Sequence, residues 1–191
     1  MAPWADKYGS DDSVGTDNAS GKAPNVYTQS THLEGGVSEG YPALLTVFAE
    51  KGYEDINPSV QAFYTQKYYF KLGKTNAHTG IKLPAIDFKN ANAVDATISF
   101  DWSAHMTGAG NIDKVQIVVE IVGDGVCADS EAKISLPISH TQEKGDLKWQ
   151  NAKVLLKGVT SSSRIIIRPT HLEDHDGITQ QRWHLDNIMV Y

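Results

Sequence analysis

The chain has 191 residues, 40% of them hydrophobic, which suffices for the core of one domain. Its net charge is −6 and its Lys and Arg residues are scattered. It therefore lacks the concentrated cationic face that nucleic acid or an anionic membrane surface would need. No run approaches the roughly 18 apolar residues of a membrane span, so we expect no membrane insertion. The single cysteine, Cys127, excludes an intramolecular disulfide.

The first 40 residues are rich in Gly, Ser, Asp, Asn and Pro and show no sustained hydrophobic periodicity. We expect residues 1–40 to form an extended lead, packed on the domain or trailing it, and residues 41–191 to form the domain. The chain starts without the basic and apolar regions of a signal peptide. We expect an extracellular or cell-surface protein whose signal or anchor is absent from this chain.

A short helix is predicted over residues 42–51, where apolar side chains share one face at helical spacing and Gly52 would end it. Turn signals rich in Gly and Asp then separate a series of β-prone runs. The predicted strands are 63–72, 79–88, 96–102, 115–122, 132–138, 148–156, 164–169 and 182–191. Seven or eight strands at this spacing predict an all-β fold, an antiparallel β-sandwich or jelly roll.

Three segments carry a resemblance to a known family. They are Tyr-Phe-Lys-Leu-Gly-Lys at 69–74, Ala-Thr-Ile-Ser-Phe-Asp-Trp at 96–102, and Arg-Trp-His-Leu-Asp-Asn-Ile at 182–188. Together they resemble the galactose-binding-like, jelly-roll carbohydrate-binding modules found in surface proteins and enzymes of Bacteroidota. The resemblance spans residues 63–191, and its most typical element is the terminal strand. It implies a β-sandwich that binds a polysaccharide or oligosaccharide.

The same resemblance implies a structural calcium. In such modules the acid of the last strand commonly helps to hold the ion beside the N-terminal strand, and Asp186 occupies that position. Further oxygen ligands would come from the lead, whose acidic residues are Asp6, Asp11, Asp12, Asp17, Glu34 and Glu39. The alternative is that Asp186 accepts hydrogen bonds from backbone amides at a strand edge.

Sugar binding needs aromatic faces that stack on a pyranose ring and planar polar groups that pair with its hydroxyls. Trp102 precedes a Gly-rich loop and Trp149 follows a Gly-Asp turn, so both are expected near a rim of the sandwich. With Tyr68 they are our aromatic candidates for ligand binding. For each of them a place in the core is the alternative.

The densest polar cluster is the segment 171–177, which lies between Pro169 and a Gly-containing turn and is therefore predicted to be a loop. If this loop borders the cleft, Arg168, Asp174 and His175 contact sugar hydroxyls. A zinc site at the two histidines of the segment would need third and fourth ligands that the sequence does not mark.

The sequence thus predicts a non-catalytic, monomeric carbohydrate-binding module. One alternative is a jelly-roll polysaccharide lyase, because Tyr-Phe-Lys-Leu-Gly at 69–73 resembles a stretch of those enzymes. In the lyases that stretch lies near the C-terminus and works with Arg- and His-bearing strands. Here it lies early, and no Arg- and Glu-rich strand or Gln-x-His strand accompanies it. A sandwich that binds protein or spaces other domains is the third class, since a fold does not imply a function.

Overall fold

The structure is a computed structural model that describes Tyr27 and residues 48–65, 69–88 and 92–191. Within these residues the regular elements are strands, the helical residues 48–50 and one 3-10 turn, Pro58–Val60. The strands are β1 (Glu54–Asp55), β2 (Phe63–Thr65), β3 (Phe70–Leu72), β4 (Ile81–Lys82), β5 (Val94–Ala104), β6 (Gln116–Val122), β7 (Val126–Cys127), β8 (Ile138–Ser139), β9 (Gln150–Val159), β10 (Arg164–Pro169) and β11 (Trp183–Val190).

The strands form two antiparallel sheets, one in the order β1-β4-β10-β6-β8 and the other in the order β2-β3-β11-β5-β9-β7. Setting aside the short β1, β2 and β7 leaves eight strands. The first, eighth, third and sixth of these lie side by side in one sheet, and the second, seventh, fourth and fifth in the other. This is the strand order of a jelly roll. The predicted all-β antiparallel sandwich is therefore confirmed.

The core lies between the two sheets and follows from the two-residue alternation of each strand. β5 points Ile98, Phe100 and Trp102 inward, where all three are completely buried. β11 adds Trp183 and Leu185 from the neighbouring strand. Burying a large apolar side chain contributes about 1.5–3 kcal/mol, so these alternating positions hold the sheets together.

The predicted elements differ from the observed ones mainly in length. Residues 48–50 are helical and Gly52 has φ +78°, which confirms the predicted helix end, while 42–47 lie outside the described residues. The predicted strand 63–72 is two strands, β2 and β3, that pair with each other. The predicted strand 79–88 yields only β4, because Pro84 has no N–H with which to continue the ladder.

Tyr27 is the one residue of the predicted lead that the structure describes. Its hydroxyl donates a hydrogen bond of 2.8 Å to Asp55 Oδ2 at the edge of the five-stranded sheet, and its ring packs against the core. At this point the N-terminal part contacts the sandwich; a boundary at residue 40 stays a prediction. No helix within the described part of the chain is long and apolar enough to cross a membrane.

Four connections meet at one end of the sandwich, which we call the rim. They are the β3–β4, β5–β6, β8–β9 and β10–β11 connections, residues 73–80, 105–115, 140–149 and 170–182. Backbone hydrogen bonds join them, from Asn76 N to Thr179 O and from Gly145 N to Gly110 O, both 2.8 Å. The rim therefore places residues from distant parts of the chain beside one another.

Candidate functional site

The β10–β11 connection owes its shape to a tight turn. His175 and Ile178 pair across it, and Ile178 N donates a bond of 2.7 Å to His175 O. Asp176 and Gly177 between them have φ of +49° and +74°. Positive φ at both central residues is the type I′ hairpin turn, for which Asp-Gly is a favoured pair. The turn fixes His175 at the base of a small hairpin.

This connection borders an open cavity of about 430 Å³, which we call the rim cleft. Its lining residues are Glu120, Arg168, Thr170, His171, Leu172, Glu173, Asp174 and His175. Three of the sequence-predicted ligand contacts, Arg168, Asp174 and His175, thus share one cavity. The pairing of β10 with β6 adds Glu120 beside them.

Arg168 is held firmly at the floor of the rim cleft. Its Nε donates a 2.6 Å bond to Glu120 Oε2, and its Nη1 donates to Pro169 O and Thr170 O at 2.9 and 3.2 Å. Gly80 packs against the same residue, and a Cβ on Gly80 would lie 2.6 Å from Arg168 Cβ. The guanidinium is therefore fixed in place and its charge is matched by a carboxylate.

Asp174 is anchored on one side and open on the other. Its Oδ1 lies 2.8 Å from Nε2 of His78, a buried residue of the β3–β4 connection, while 42% of the Asp174 side chain stays exposed. The contact ties the β10–β11 connection to the sandwich. It also presents a positioned carboxylate to solvent.

His171 and His175 form a stacked pair with ring centroids 3.6 Å apart and an interplanar angle of 22°. Both rings line the rim cleft. An imidazole has a planar face of the kind that packs on the apolar face of a sugar ring. The lining of this cleft, as far as the structure describes the chain, contains neither Trp nor Tyr.

The aromatic candidates lie elsewhere. Trp102 is 0% exposed on the inner face of β5, so the predicted ligand contact at this residue is wrong. Its side chain shares that face with Ile98 and Phe100 and packs in the core. Trp149 is half-buried against Tyr69, at 5.6 Å between ring centroids, and does not line the rim cleft. Tyr68 lies outside the described residues.

A second group of polar residues lies buried at the base of the rim. Arg182 donates from Nε and Nη2 to the two carboxylate oxygens of Asp113, at 2.7 and 3.0 Å, and both side chains are buried. Asp113 is thus the buried partner of an ion pair. Gln142 bonds both Ala104 N and Ala104 O, at 2.6 and 3.0 Å. We call Asp113, Arg182 and Gln142 the anchor cluster.

His105 and His184 lie close to the anchor cluster. The Nδ1 atom of His105 is 3.1 Å from Nε2 of His184. Burial lowers the pKa of His105 to about 2, with Arg182 and Lys71 adding to the effect. His105 is therefore neutral at every pH at which the protein would work, and the two rings share a single proton between the facing nitrogens.

Asp186 lies on the outer side of β11, directly opposite Asp101 of β5. Its Oδ1 accepts a 2.6 Å bond from Asn187 N, as in the backbone-amide alternative. Both oxygens of Asp101 accept amide donors, Asn151 Nδ2 at 2.9 Å and Asn187 Nδ2 at 2.8 Å. Calcium takes six to eight oxygens, and the described residues contain no group of three or more acidic, His or Cys side chains placed to hold a metal. The remaining ligands expected from the lead lie outside the described residues.

Sequence reasoning missed several residues of the rim. Glu120 left a signal, since it is the one charge in the largely apolar run 115–122. His78 and Gln181 left none, because they reach the rim through the long-range pairing of strands. His171 belonged to the polar segment that drew attention to this loop.

Comparisons with known proteins give neither a matching family model nor a matching curated protein. Among solved structures, the K3 cleaved adhesin domain of Lys-gingipain from Porphyromonas gingivalis is 13% identical, with a TM-score of 0.48 over 73% of this chain and 90% of that one. The C-terminal domain of EclA, a sugar-binding protein, is 9% identical, with a TM-score of 0.42 over 73% and 76%. CBM35 from Paenibacillus barcinonensis is 15% identical, with a TM-score of 0.36 over 64% and 77%. At these values the similarity does not carry a function to this chain.

Proposed function

We propose that this chain is a non-catalytic carbohydrate-binding module that holds a polysaccharide or oligosaccharide in the rim cleft. The observation that carries the proposal is the convergence of Arg168, Asp174 and His175 on one open cavity together with the stacked ring of His171. Sugar sites combine a flat apolar surface with a few fixed polar groups. The rim cleft offers both.

Each group has a role that follows from its contacts. The stacked imidazoles of His171 and His175 offer a planar face to a pyranose ring. Asp174, fixed by His78, accepts hydrogen bonds from sugar hydroxyls without having to be ordered on binding. Because the cleft is open and solvated, we expect modest affinity.

The contacts of the carboxylates favour binding over hydrolysis. A glycosidase needs two carboxyl groups on either side of the scissile bond, one of them a proton donor. Glu120 is ion-paired to Arg168 at 2.6 Å and Asp174 is held by His78 at 2.8 Å. Each carboxylate is therefore already engaged by a protein partner, which suits a fixed hydrogen-bond acceptor better than one member of a catalytic pair.

Affinity electrophoresis on a panel of neutral and uronic-acid polysaccharides tests the proposal. We expect at least one glycan to retard the wild-type protein, and Asp174→Ala and His175→Ala to lose that retardation. Lys153→Ala, an exposed site on the outer face of β9, is the matched control and should migrate like the wild type. A wild-type protein that no glycan retards would contradict sugar binding and favour a protein-binding or spacer role.

The lyase alternative has its own readout. Elimination in a uronic-acid polymer creates an unsaturated product that absorbs in the ultraviolet. We expect no rise in absorbance when the protein is mixed with such polymers. A steady rise that His175→Ala abolishes would replace the binding proposal with a catalytic one.

We also propose an extracellular or cell-surface location, a monomeric state and a structural calcium with Asp186 among its ligands. The calcium proposal is supported by two carboxylates, Asp186 and Asp101, that face each other on adjacent strands. Like charges placed directly opposite are destabilising, and a cation between them would remove that cost. Gel filtration with light scattering tests the oligomeric state.

A further inference from the structure

A second cavity adjoins the rim cleft, and we call it the inner cup. It has a volume of about 280 Å³. Its lining residues are Lys114, Val115, Gln116, Ser139, His140, Thr170, His175, Ile178 and Gln181. Thr170 and His175 line both cavities, so the two cavities are neighbours beside the β10–β11 connection.

The inner cup contains an acceptor that the described part of the fold leaves unused. Gln181 is 1% exposed, and its Oε1 has no hydrogen-bond partner among the described residues. Its Nε2 makes one long bond of 3.4 Å to Glu173 O. The Nδ1 atom of His175 is also buried and has no hydrogen-bond partner among the described residues. A buried polar atom without a partner costs free energy, so a ligand group that donates a hydrogen bond to it would recover that cost.

Gln142 shows what the fold does with a glutamine that serves stability. It is 7% exposed and lies at the same rim, yet its Oε1 accepts from Ala104 N and its Nε2 donates to Ala104 O. Gln181, in contrast, has no partner for its Oε1 among the described residues. The difference separates a structural amide from one that lines a cavity with its acceptor unpaired.

The charges around the two cavities restrict the charge that a ligand can carry. The carboxylates of Glu120, Glu173 and Asp174 outnumber the cations of Arg168 and Lys114, and Arg168 is engaged by Glu120 and two carbonyls. Burial lowers the pKa of His140, so this ring adds no positive charge at neutral pH. A polyanion would meet net repulsion here, whereas a neutral polyhydroxyl ligand would not.

We propose that the inner cup is a second subsite of the module, which binds a neutral sugar unit through a hydroxyl that donates to Gln181 Oε1. This inference rests on the proposed function, because the rim cleft holds the adjoining unit of the same chain. It adds the ligand class: neutral glycans bind, and glycans of uronic acids do not. It also adds a residue, Gln181, that determines how the bound glycan is positioned.

The test compares two matched substitutions, Gln181→Met and Gln142→Met, which replace each amide by an apolar chain of similar length. The probe is an oligosaccharide of whichever neutral polysaccharide retards the wild type most, with polygalacturonate and alginate as the uronic-acid arm. Binding is followed by calorimetric titration and stability by thermal melting. In the wild type, the side-chain amide resonances of Gln181 are followed by NMR during the titration.

We expect Gln181→Met to weaken binding about five- to tenfold, the loss of one hydrogen bond, with a melting midpoint equal to or above that of the wild type. Gln142→Met should do the reverse, with a lower midpoint and unchanged affinity. A lower midpoint with unchanged affinity for Gln181→Met would overturn the inference and make Gln181 a structural residue. Glycan binding that leaves the Gln181 amide resonances unmoved would overturn it as well.

The two proposals fail in different ways. If Asp174→Ala loses binding but Gln181→Met keeps it, the rim cleft binds sugar and the inner cup does not. If uronic-acid polymers bind better than neutral ones, the ligand class is wrong although the module still binds glycans. If no glycan of either class binds the wild type, the proposed function and the subsite fall together.

Discussion

The anchor cluster and the inner cup are two groups of buried polar residues at the same end of the sandwich, and they are built in opposite ways. In the anchor cluster Arg182 meets both oxygens of Asp113, which also accepts the Arg182 backbone N–H at 3.0 Å. One residue earlier in the chain, Gln181 lines a cavity, and its buried Oε1 has no partner in the described structure. Neighbours in sequence thus differ completely in how their polar groups are satisfied.

This difference separates stability from binding. A polar group on which the fold depends is paired, because an unpaired one costs about 1–3 kcal/mol when buried. A group that is buried and unpaired beside a cavity lowers stability until a ligand arrives, and proteins accept that cost where function requires it. Substitutions at paired groups should therefore lower stability, and substitutions at groups that bind the ligand should lower affinity.

The largest expected effect comes from breaking the ion pair of the anchor cluster. Arg182→Met leaves the Asp113 carboxylate buried without its partner, so we expect the free energy of unfolding to fall by about 3–5 kcal/mol in urea denaturation. Arg182→Met combined with Asp113→Leu should recover part of that loss, because it removes the uncompensated charge. A loss of less than about 1 kcal/mol in the single variant would show that the pair does not anchor the rim.

Gln142→Met, the control variant in the binding test, should lower stability by an intermediate amount. It deprives Ala104 N and Ala104 O of their partners at a buried position. We expect a loss of about 1–3 kcal/mol in the free energy of unfolding, measured in the same urea series. A variant as stable as the wild type would remove the distinction between the two glutamines.

Asp174→Asn tests the rim cleft with a smaller effect on stability. The amide can still meet His78, and the side chain is 42% exposed, so the lost charge should cost at most about 1 kcal/mol of stability. Glycan affinity should fall more clearly, because a charged acceptor bonds hydroxyls about twice as strongly as a neutral one. Calorimetric titration beside urea denaturation separates the two. A loss of stability with unchanged glycan affinity would assign Asp174 to the fold alone.

The sequence predicted the sandwich well because alternation and turn residues are local signals. The predicted strand 164–169 matches β10 (Arg164–Pro169), and 182–191 contains all of β11. The predicted strand 132–138 instead makes isolated bridges with β6 and β7 before β8 begins. Its ladder depends on neighbours that the local pattern does not specify.

The site was predictable only where it is contiguous in the chain. Arg168, Asp174 and His175 lie within eight positions, at the end of β10 and in the connection that follows it, so they reach the same cavity. The prediction of Trp102 as a ligand contact is wrong. The alternation of β5 places Ile98 and Phe100 in the core, and Trp102 lies on the same face. Gln181 could not be recognised, because its open acceptor is a property of packing that no sequence pattern records.

Substitution of Asp186 should have the smallest effect on stability, and it tests the proposed calcium site. Burial raises the pKa of its carboxyl, and the facing Asp101 adds to the shift. The folded chain therefore binds more protons than the unfolded chain between the usual carboxyl value of 3.8 and the raised one. Stability falls as the pH rises through that window, and the penalty is complete above it. Without calcium, Asp186→Asn should therefore gain about 0.2–1 kcal/mol at pH 7 and nothing at a pH below the usual value.

Calcium should reverse the sign of this result. A ligand that binds only the folded state stabilises it, so adding calcium should raise the wild-type melting midpoint, adding chelator should lower it, and Asp186→Asn should respond to neither. Asp95→Asn is the matched control, because its exposed carboxylate bonds only Gly158 N among the described residues and lies apart from the Asp101 pair. If neither calcium nor chelator changes the wild-type melting midpoint, the calcium proposal is wrong. Asp186 would then be a carboxylate that accepts a backbone amide at a strand edge, and its cost would be the repulsion from Asp101.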